Sequence, residues 1–234
     1  MPAGTVTYPA RYGWHTDQSF RSEPADISLF YCVAPAGNHI APTAFADGVA
    51  AYASLPAQRR EELRGVQLLH AAALTGRWEP EVRGRVALAE SSGRVDGAAA
   101  ADAMATPSRR RLLVRRHPET GRDGLYMCDG SQLDYVSGPV VGMEAGPDGS
   151  GHHLVAELMA HYTQPAHALE HNWQPGDLVV YDNRSTIHCG TWYDVRRHPG
   201  REMWRLTVSG NPGPRTDWEG LTDGEDEQHW KGKL

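Results

Sequence analysis

The strongest constraint on this chain is the placement of its polar motifs among short apolar runs. Ile27 to Val33 (ISLFYCV), Arg111 to Arg115 (RLLVR), Gly124 to Cys128 (GLYMC), Asp177 to Tyr181 (DLVVY) and Arg205 to Ser209 (RLTVS) are each only five to seven residues long. Runs this short, rich in β-branched and aromatic residues, predict strands. Ile27 to Val33 and Asp177 to Tyr181 read as buried ones. The turn-type sequence His117-Pro118-Glu119-Thr120-Gly121 joins two of the runs, Gly146 to Gly151 forms another loop, and Trp173 to Gly176 precedes a third strand as a turn. Helical character is confined to Ala46 to Leu55, Ala57 to Arg64 after Pro56, and His153 to Tyr162. Leu68 to Leu74 suits either state. Strands outnumber helices, which predicts a mainly β fold with peripheral helices: a two-sheet barrel or jelly roll.

With 234 residues the chain is long enough for one substantial domain. We expect a single domain with its core between 14 and 208, and an insertion or lid at 76–108, where Gly, Ala and Arg dominate without a clear period. An acidic, loose tail is expected over 214–234. A net charge of −6 and a pI near 6.0 give no electrostatic footprint for nucleic acid. No apolar run reaches transmembrane length, and the first residues lack the basic-then-apolar pattern of a signal peptide. The expected compartment is the cytoplasm. Cys32, Cys128 and Cys189 are odd in number and widely spaced, so neither a zinc knuckle nor a disulfide framework is indicated.

Trp14-His15-Thr16-Asp17 lies near one end and Asp182-Asn183-Arg184-Ser185-Thr186-Ile187-His188 near the other. On a strand, His15 and Asp17 would share a face. Alone the pair means little, because chance supplies one in a chain with 12 histidines and many aspartates. His188 changes its weight: it follows a strand signal and a polar turn, where a side chain can face a cavity. Two His and one carboxylate are the ligands of open mononuclear iron sites. Arg201 and Arg205 follow, and a guanidinium fork matches a carboxylate. His117 and Glu119 also have ligand chemistry but sit in a Pro/Gly turn and read as structural. His152 and His153 read as a loop or helix start. Asp182 and Asn183 are candidates to secure the turn before His188. Trp14, Trp204, Trp192 and Tyr193 are candidates to pack around the site.

Six blocks together resemble the taurine dioxygenase-like family of Fe(II)/2-oxoglutarate oxygenases: the two just quoted, Pro42-Thr43-Ala44-Phe45-Ala46-Asp47, His117 to Arg122, Trp173-Gln174-Pro175-Gly176-Asp177, and Arg201 to Val208. The resemblance implies a double-stranded β-helix in which His15, Asp17 and His188 ligate Fe(II). It implies that Thr43 and Arg201 hold the distal carboxylate of 2-oxoglutarate. Arg205 would contact an acidic group of the substrate or support the co-substrate. With O2, such an enzyme releases succinate and CO2. Related halogenases replace the carboxylate ligand with a small residue. Asp17 is retained, which favours hydroxylation, with desaturation or ring closure open to the same chemistry, and Arg205 points to a small acidic or amino-acid-like substrate.

Family members carry a substantial segment before the His-x-Asp motif, and here 14 residues precede His15. The expectation is a more open substrate side, or one completed by another subunit in a homo- or hetero-oligomer. Two alternatives stand beside the dioxygenase. A non-catalytic or partner-completed metal-binding subunit would explain the short start, and a zinc-dependent hydrolase could use the same ligands. A hydrolase has no need of Thr43 and Arg201 as a 2-oxoglutarate clamp.

Overall fold

The computed structural model describes residues 13–21, 23–71, 108–129, 132–134, 138–146, 148–191, 193–194 and 196–208. All of the expected lid but Ser108, the tail after Pro214, and Trp192 lie outside them.

Among the described residues, ten strands and three helices follow in the order β1 (Ile27–Ala34), β2 (Thr43–Asp47), α1 (Gly48–Ser54), α2 (Ala57–Glu62), β3 (Gln67–His70), β4 (Arg109–Leu112), β5 (Val114–Arg116), β6 (Asp123–Leu125), α3 (Ser150–Tyr162), β7 (Ala168–His171), β8 (Leu178–Asp182), β9 (Thr186–Gly190) and β10 (Glu202–Val208). Two three-stranded antiparallel sheets, β10-β1-β8 and β7-β2-β9, form the frame. Phe30 of β1 meets the ring of His188 on β9 at 6.0 Å, and Phe45 of β2 meets Tyr181 of β8 at 5.1 Å. The sheets therefore face one another. The ribbons β3-β4 and β5-β6 complete the described strands.

The main apolar core lies behind β7-β2-β9, away from the space between the sheets. Ala46 and Ile187 from that sheet pack with Tyr52 and Leu55 of α1, Leu125 of β6, and Val155, Leu158 and Tyr162 of α3. Asp47 caps α1 by accepting from the N–H groups of Val49 and Ala50. Gly48 is required where strand turns into helix. A Cβ there would lie 2.4 Å from both the Leu125 carbonyl and the Tyr162 hydroxyl. The space between the sheets holds a mixture of aromatic and polar side chains, among them Phe30, Phe45, Tyr181 and His188.

Boundaries depart from sequence expectation for local reasons. Ala46 belongs to β2, because Asp47 is the cap. Of the ambiguous run from Leu68 to Leu74, the part through His70 is strand. The expectation of buried strands fails for one face of each: Leu178 and Val180 of β8 are exposed, and Tyr31 of β1 is partly so. Nothing among the described residues covers the outer face of that sheet. Trp204, expected near the site, is 60% exposed there, and its indole N–H donates to Glu202.

Candidate metal and carboxylate site

His15 does not lie on a regular strand. It forms an isolated antiparallel bridge with His188: each backbone N–H donates to the other's carbonyl, at 3.0 and 2.8 Å. The chain then turns at once, with Gln18 at φ +61°. This reciprocal pair joins the two ends of the sequence, and it sets the imidazoles with ring centroids 4.2 Å apart. Trp14 anchors the same segment, its N–H donating to Asp129 Oδ2 at 2.7 Å while its carbonyl accepts from Asp129 N–H.

Asn183 holds the next residue. Its side-chain oxygen accepts from Asp17 N–H at 2.7 Å, and its amide donates to the carbonyls of Asp17 and Ala25 at 2.9 and 2.8 Å. Its own carbonyl accepts from the Thr16 hydroxyl at 2.6 Å. Asn183 is wholly buried, so each of these bonds replaces water that cannot reach it. Asp182, by contrast, clamps the outer turn. It accepts from His117 Nε2 and from Arg184, which also reaches Glu119. Burial raises the Asp182 carboxyl, but Arg184 and His117 outweigh it and hold the pKa below the ordinary value. His117 Nδ1 in turn accepts from the N–H groups of Glu119 and Thr120. That arrangement fits the structural role expected for the His117 turn.

His15, Asp17 and His188 each present one ligand atom, all within 4.8 Å of one another, and they are the one such group among the described residues. Nε2 of His15 and of His188 lie 3.9 and 3.8 Å from Asp17 Oδ1. His15 Nδ1 is 2.9 Å from the Gly13 carbonyl. An N–H there leaves the Nε2 lone pair facing the carboxylate, the orientation a metal ligand needs. Burial, with His15 and Arg205 nearby, pulls His188 down to about 3 against the attraction of Asp17, so its imidazole is neutral at neutral pH. Burial opposes ionisation of Asp17, but His188, Arg205, His15 and the Ser28 hydroxyl outweigh it and keep the pKa low. The donor set is two imidazoles and a carboxylate, which fits a divalent first-row metal.

A cavity of about 280 Å³ opens beside these ligands, lined among others by His15, Thr43, His188, Thr191, Arg201 and Arg205. Thr43 Oγ1 accepts from Trp173 Nε1 at 3.0 Å, which leaves its own proton to be donated. Arg201 lies just before β10, its guanidinium 5.4 Å from the Tyr193 ring. Its Nε, and Thr191 Oγ1, are buried without a hydrogen-bond partner among the described residues. Unpaired buried donors of this kind fit a carboxylate ligand. Arg205 donates to Asp17 Oδ1 at 2.9 Å, while its side chain remains 47% exposed.

All six expected site residues meet at this one cavity or its metal corner. Sequence reasoning missed Thr191, Trp173, Ser28 and Tyr181. The Trp173 block reads in sequence as a turn and as part of the family resemblance, with no site role given to Trp173. The other three lie in or beside strand-like runs that carry no separate signal.

The sequence matches the family described as "Taurine catabolism dioxygenase TauD, TfdA family" over residues 2–207. The chain belongs to the TauD/TfdA family. Curated relatives include the alpha-ketoglutarate-dependent 2,4-dichlorophenoxyacetate dioxygenase of Burkholderia sp. (strain RASC), 33% identical over 199 residues, covering 84% of this chain and 58% of the relative. Pentalenolactone F synthase of Streptomyces arenae is 31% identical over 209 residues, covering 88% and 64%. This chain thus spans about three-fifths of the length of these relatives. Among solved structures, AAD-2 in complex with Mn(II) and N-oxalylglycine superposes with a TM-score of 0.64 at 30% identity, covering 85% of this chain and 68% of that one. A taurine dioxygenase from Burkholderia xenovorans shares the fold at a TM-score of 0.61 and 24% identity, covering 85% and 59%. The expected jelly roll is thereby confirmed.

Proposed function

We propose that this chain is the core, over 14–208, of an Fe(II)- and 2-oxoglutarate-dependent dioxygenase that hydroxylates a small acidic molecule. One observation carries the proposal: His15 and His188, which group with Asp17 as candidate ligands, line one cavity with Thr43 and Arg201, a carboxylate clamp that a hydrolytic zinc site has no use for. His15, Asp17 and His188 would hold the metal. Bound iron supplies O2 activation coupled to oxidative decarboxylation of 2-oxoglutarate, giving succinate and CO2. Arg201 and Thr43 orient the co-substrate through its far carboxylate, by a charged fork and a hydroxyl donor. Phe30, Trp173 and Met203 line the same cavity and limit water.

Arg205 supports an acidic substrate. It sits at the metal corner, and its half-exposed side chain can pivot from Asp17 to an incoming anion. Relatives named for 2,4-dichlorophenoxyacetate and (S)-phenoxypropionate act on carboxylates with an apolar body, which this cavity also suits. The cytoplasm is the proposed compartment: all three cysteines are buried thiols outside any disulfide, and no helix among the described residues is long and apolar enough to cross a membrane.

Anaerobic titration tests the proposal. Fe(II) followed by 2-oxoglutarate should develop the visible charge-transfer band of the chelate. Carboxylate candidates that bind beside it should shift that band. Absence of the band with iron bound would refute the dioxygenase and favour another metal chemistry.

A further inference from the structure

The two oxygens of Asp17 have different surroundings. Oδ2 accepts from the Ser28 hydroxyl at 2.7 Å and the Tyr181 hydroxyl at 2.9 Å. Oδ1 faces the two imidazole Nε2 atoms and accepts from Arg205. Ser28 and Tyr181 are direct partners across the antiparallel pairing of β1 with β8, so strand register sets both donors side by side. Ser28 is wholly buried and Tyr181 is 7% exposed. The Tyr181 ring lies between Phe30, at 5.9 Å, and Phe45, at 5.1 Å, so the phenol has little freedom to turn. Arg205, on the other oxygen, is the contrasting partner, a cation with its side chain half-exposed.

We propose that Ser28 and Tyr181 are positioning residues that engage one oxygen of Asp17 and confine this carboxylate to one-oxygen metal coordination. The inference rests on the metal-site assignment above and extends it to residues outside the ligand set. A carboxylate free to rotate could chelate through both oxygens and occupy a coordination position. The reaction needs that position for the 2-oxo acid or O2. Two hydroxyls on Oδ2 hold the carboxylate plane and occupy the lone pairs that a second metal bond would use. Both donors are neutral, so they orient the ligand without adding a positive charge that would repel the metal.

Ser28→Ala and Tyr181→Phe remove the hydroxyls and keep most of the packing. The test is Mn(II) affinity by calorimetry, the visible spectrum of the Co(II) form, and 2-oxoglutarate affinity of the Mn(II) form. Outer hydrogen bonds to metal ligands are typically worth about 10- to 100-fold in metal affinity. The double variant should therefore bind Mn(II) at least about tenfold more weakly, show an altered Co(II) spectrum, and bind 2-oxoglutarate more weakly once metal-loaded. Ser28→Thr, which keeps a hydroxyl, should recover the wild-type spectrum. If Tyr181→Phe fails to fold, the Ser28 pair carries the test alone, with thermal melts of the metal-free protein as the folding control. Unchanged metal and 2-oxoglutarate affinities, or weaker metal binding with an unaltered Co(II) spectrum, would overturn the proposal. Failure of the metal-site assignment would instead appear in the wild-type protein, as no divalent-metal binding at all.

Discussion

Replacing Asn183 should disturb the site without touching a ligand. Its side chain satisfies one N–H and two carbonyls of the segment that carries Asp17, in a wholly buried position. Three bonds at a net ~0.5–1.5 kcal/mol each give about 3 kcal/mol for Asn183→Ala. For a chain of this size that is a melting-point drop of roughly 6–12 °C. Asn183→Asp keeps the shape and reverses the chemistry. One carboxylate oxygen can still accept from Asp17 N–H, but the other must face two carbonyl oxygens. The new acid is relieved only by taking up a proton, so its folded pKa must rise above the unfolded value of about 3.9. In that range the folded state binds more protons than the unfolded state, so stability relative to wild type improves as pH falls. A rise of about 2 pKa units corresponds to about 3 kcal/mol. Urea unfolding of the metal-free proteins from about pH 8 to about pH 5 should show the deficit of Asn183→Asp shrinking and that of Asn183→Ala nearly constant, each against wild type. Mn(II) affinity should fall in both variants, because Asn183→Ala removes the bonds that anchor Asp17 and Asn183→Asp sets a carboxylate oxygen against the Asp17 carbonyl. A flat pH profile for Asn183→Asp, or an Asn183→Ala loss within about 0.5 kcal/mol, would refute the bonding scheme.

Other outcomes follow from the same geometry. Alanine at His15, Asp17 or His188 should abolish tight divalent-metal binding and succinate formation, while His117→Ala should lower the melting temperature with metal affinity retained; isothermal titration separates the two. Arg201→Ala should weaken 2-oxoglutarate binding by roughly 2–5 kcal/mol with metal still bound, and Arg201→Lys should recover little because an ammonium lacks the fork; titration of the chelate band reads both. Because burial holds the folded His188 pKa near 3, below the usual 6.5, the unfolded state takes up the proton first and stability declines as pH falls between those values. The contribution is at most about 5 kcal/mol, and His188→Gln should flatten that part of the urea-midpoint profile.

The candidate ligands and Arg201 were legible because each lies in a compact block of unusual composition, while Thr43 and the pairing of Thr43 with Arg201 as a clamp came only from the family resemblance. Trp14 to Asp17, Asp182 to His188 and Arg201 to Arg205 are polar groups set beside strand signals. The jelly roll was legible from short strands outnumbering helices. Ser28 and Tyr181 were not, because each sits inside a run that scans as ordinary strand, ISLFYCV and DLVVY. Their meaning arises only when Ser28 pairs with Tyr181 across two strands, and register between distant strands is set by the fold. Thr191 was missed for a related reason: it becomes a cavity residue when Thr191 N–H donates to the Pro42 carbonyl and closes β9 onto the loop before Thr43.

Strand β10 shows why hydrophobic alternation fails near such a site. Alternation normally directs apolar side chains inward. In β10 the inward positions are Met203, Arg205 and Thr207, and two of these are polar. The outward ones are Trp204, Leu206 and Val208, all at least 46% exposed. β8 repeats the inversion, with Leu178 and Val180 outward and Tyr181 inward. The pairing register aligns Tyr31 with both Trp204 and Leu178, and Leu29 with both Leu206 and Val180, so the outward residues form one continuous apolar face. The inner face lines the cavity proposed to hold a charged co-substrate, and its polar residues suit that chemistry rather than solvent. A pattern read as strand and core therefore predicts the strands correctly and their faces wrongly, and the error marks the wall on which Arg205 reaches Asp17.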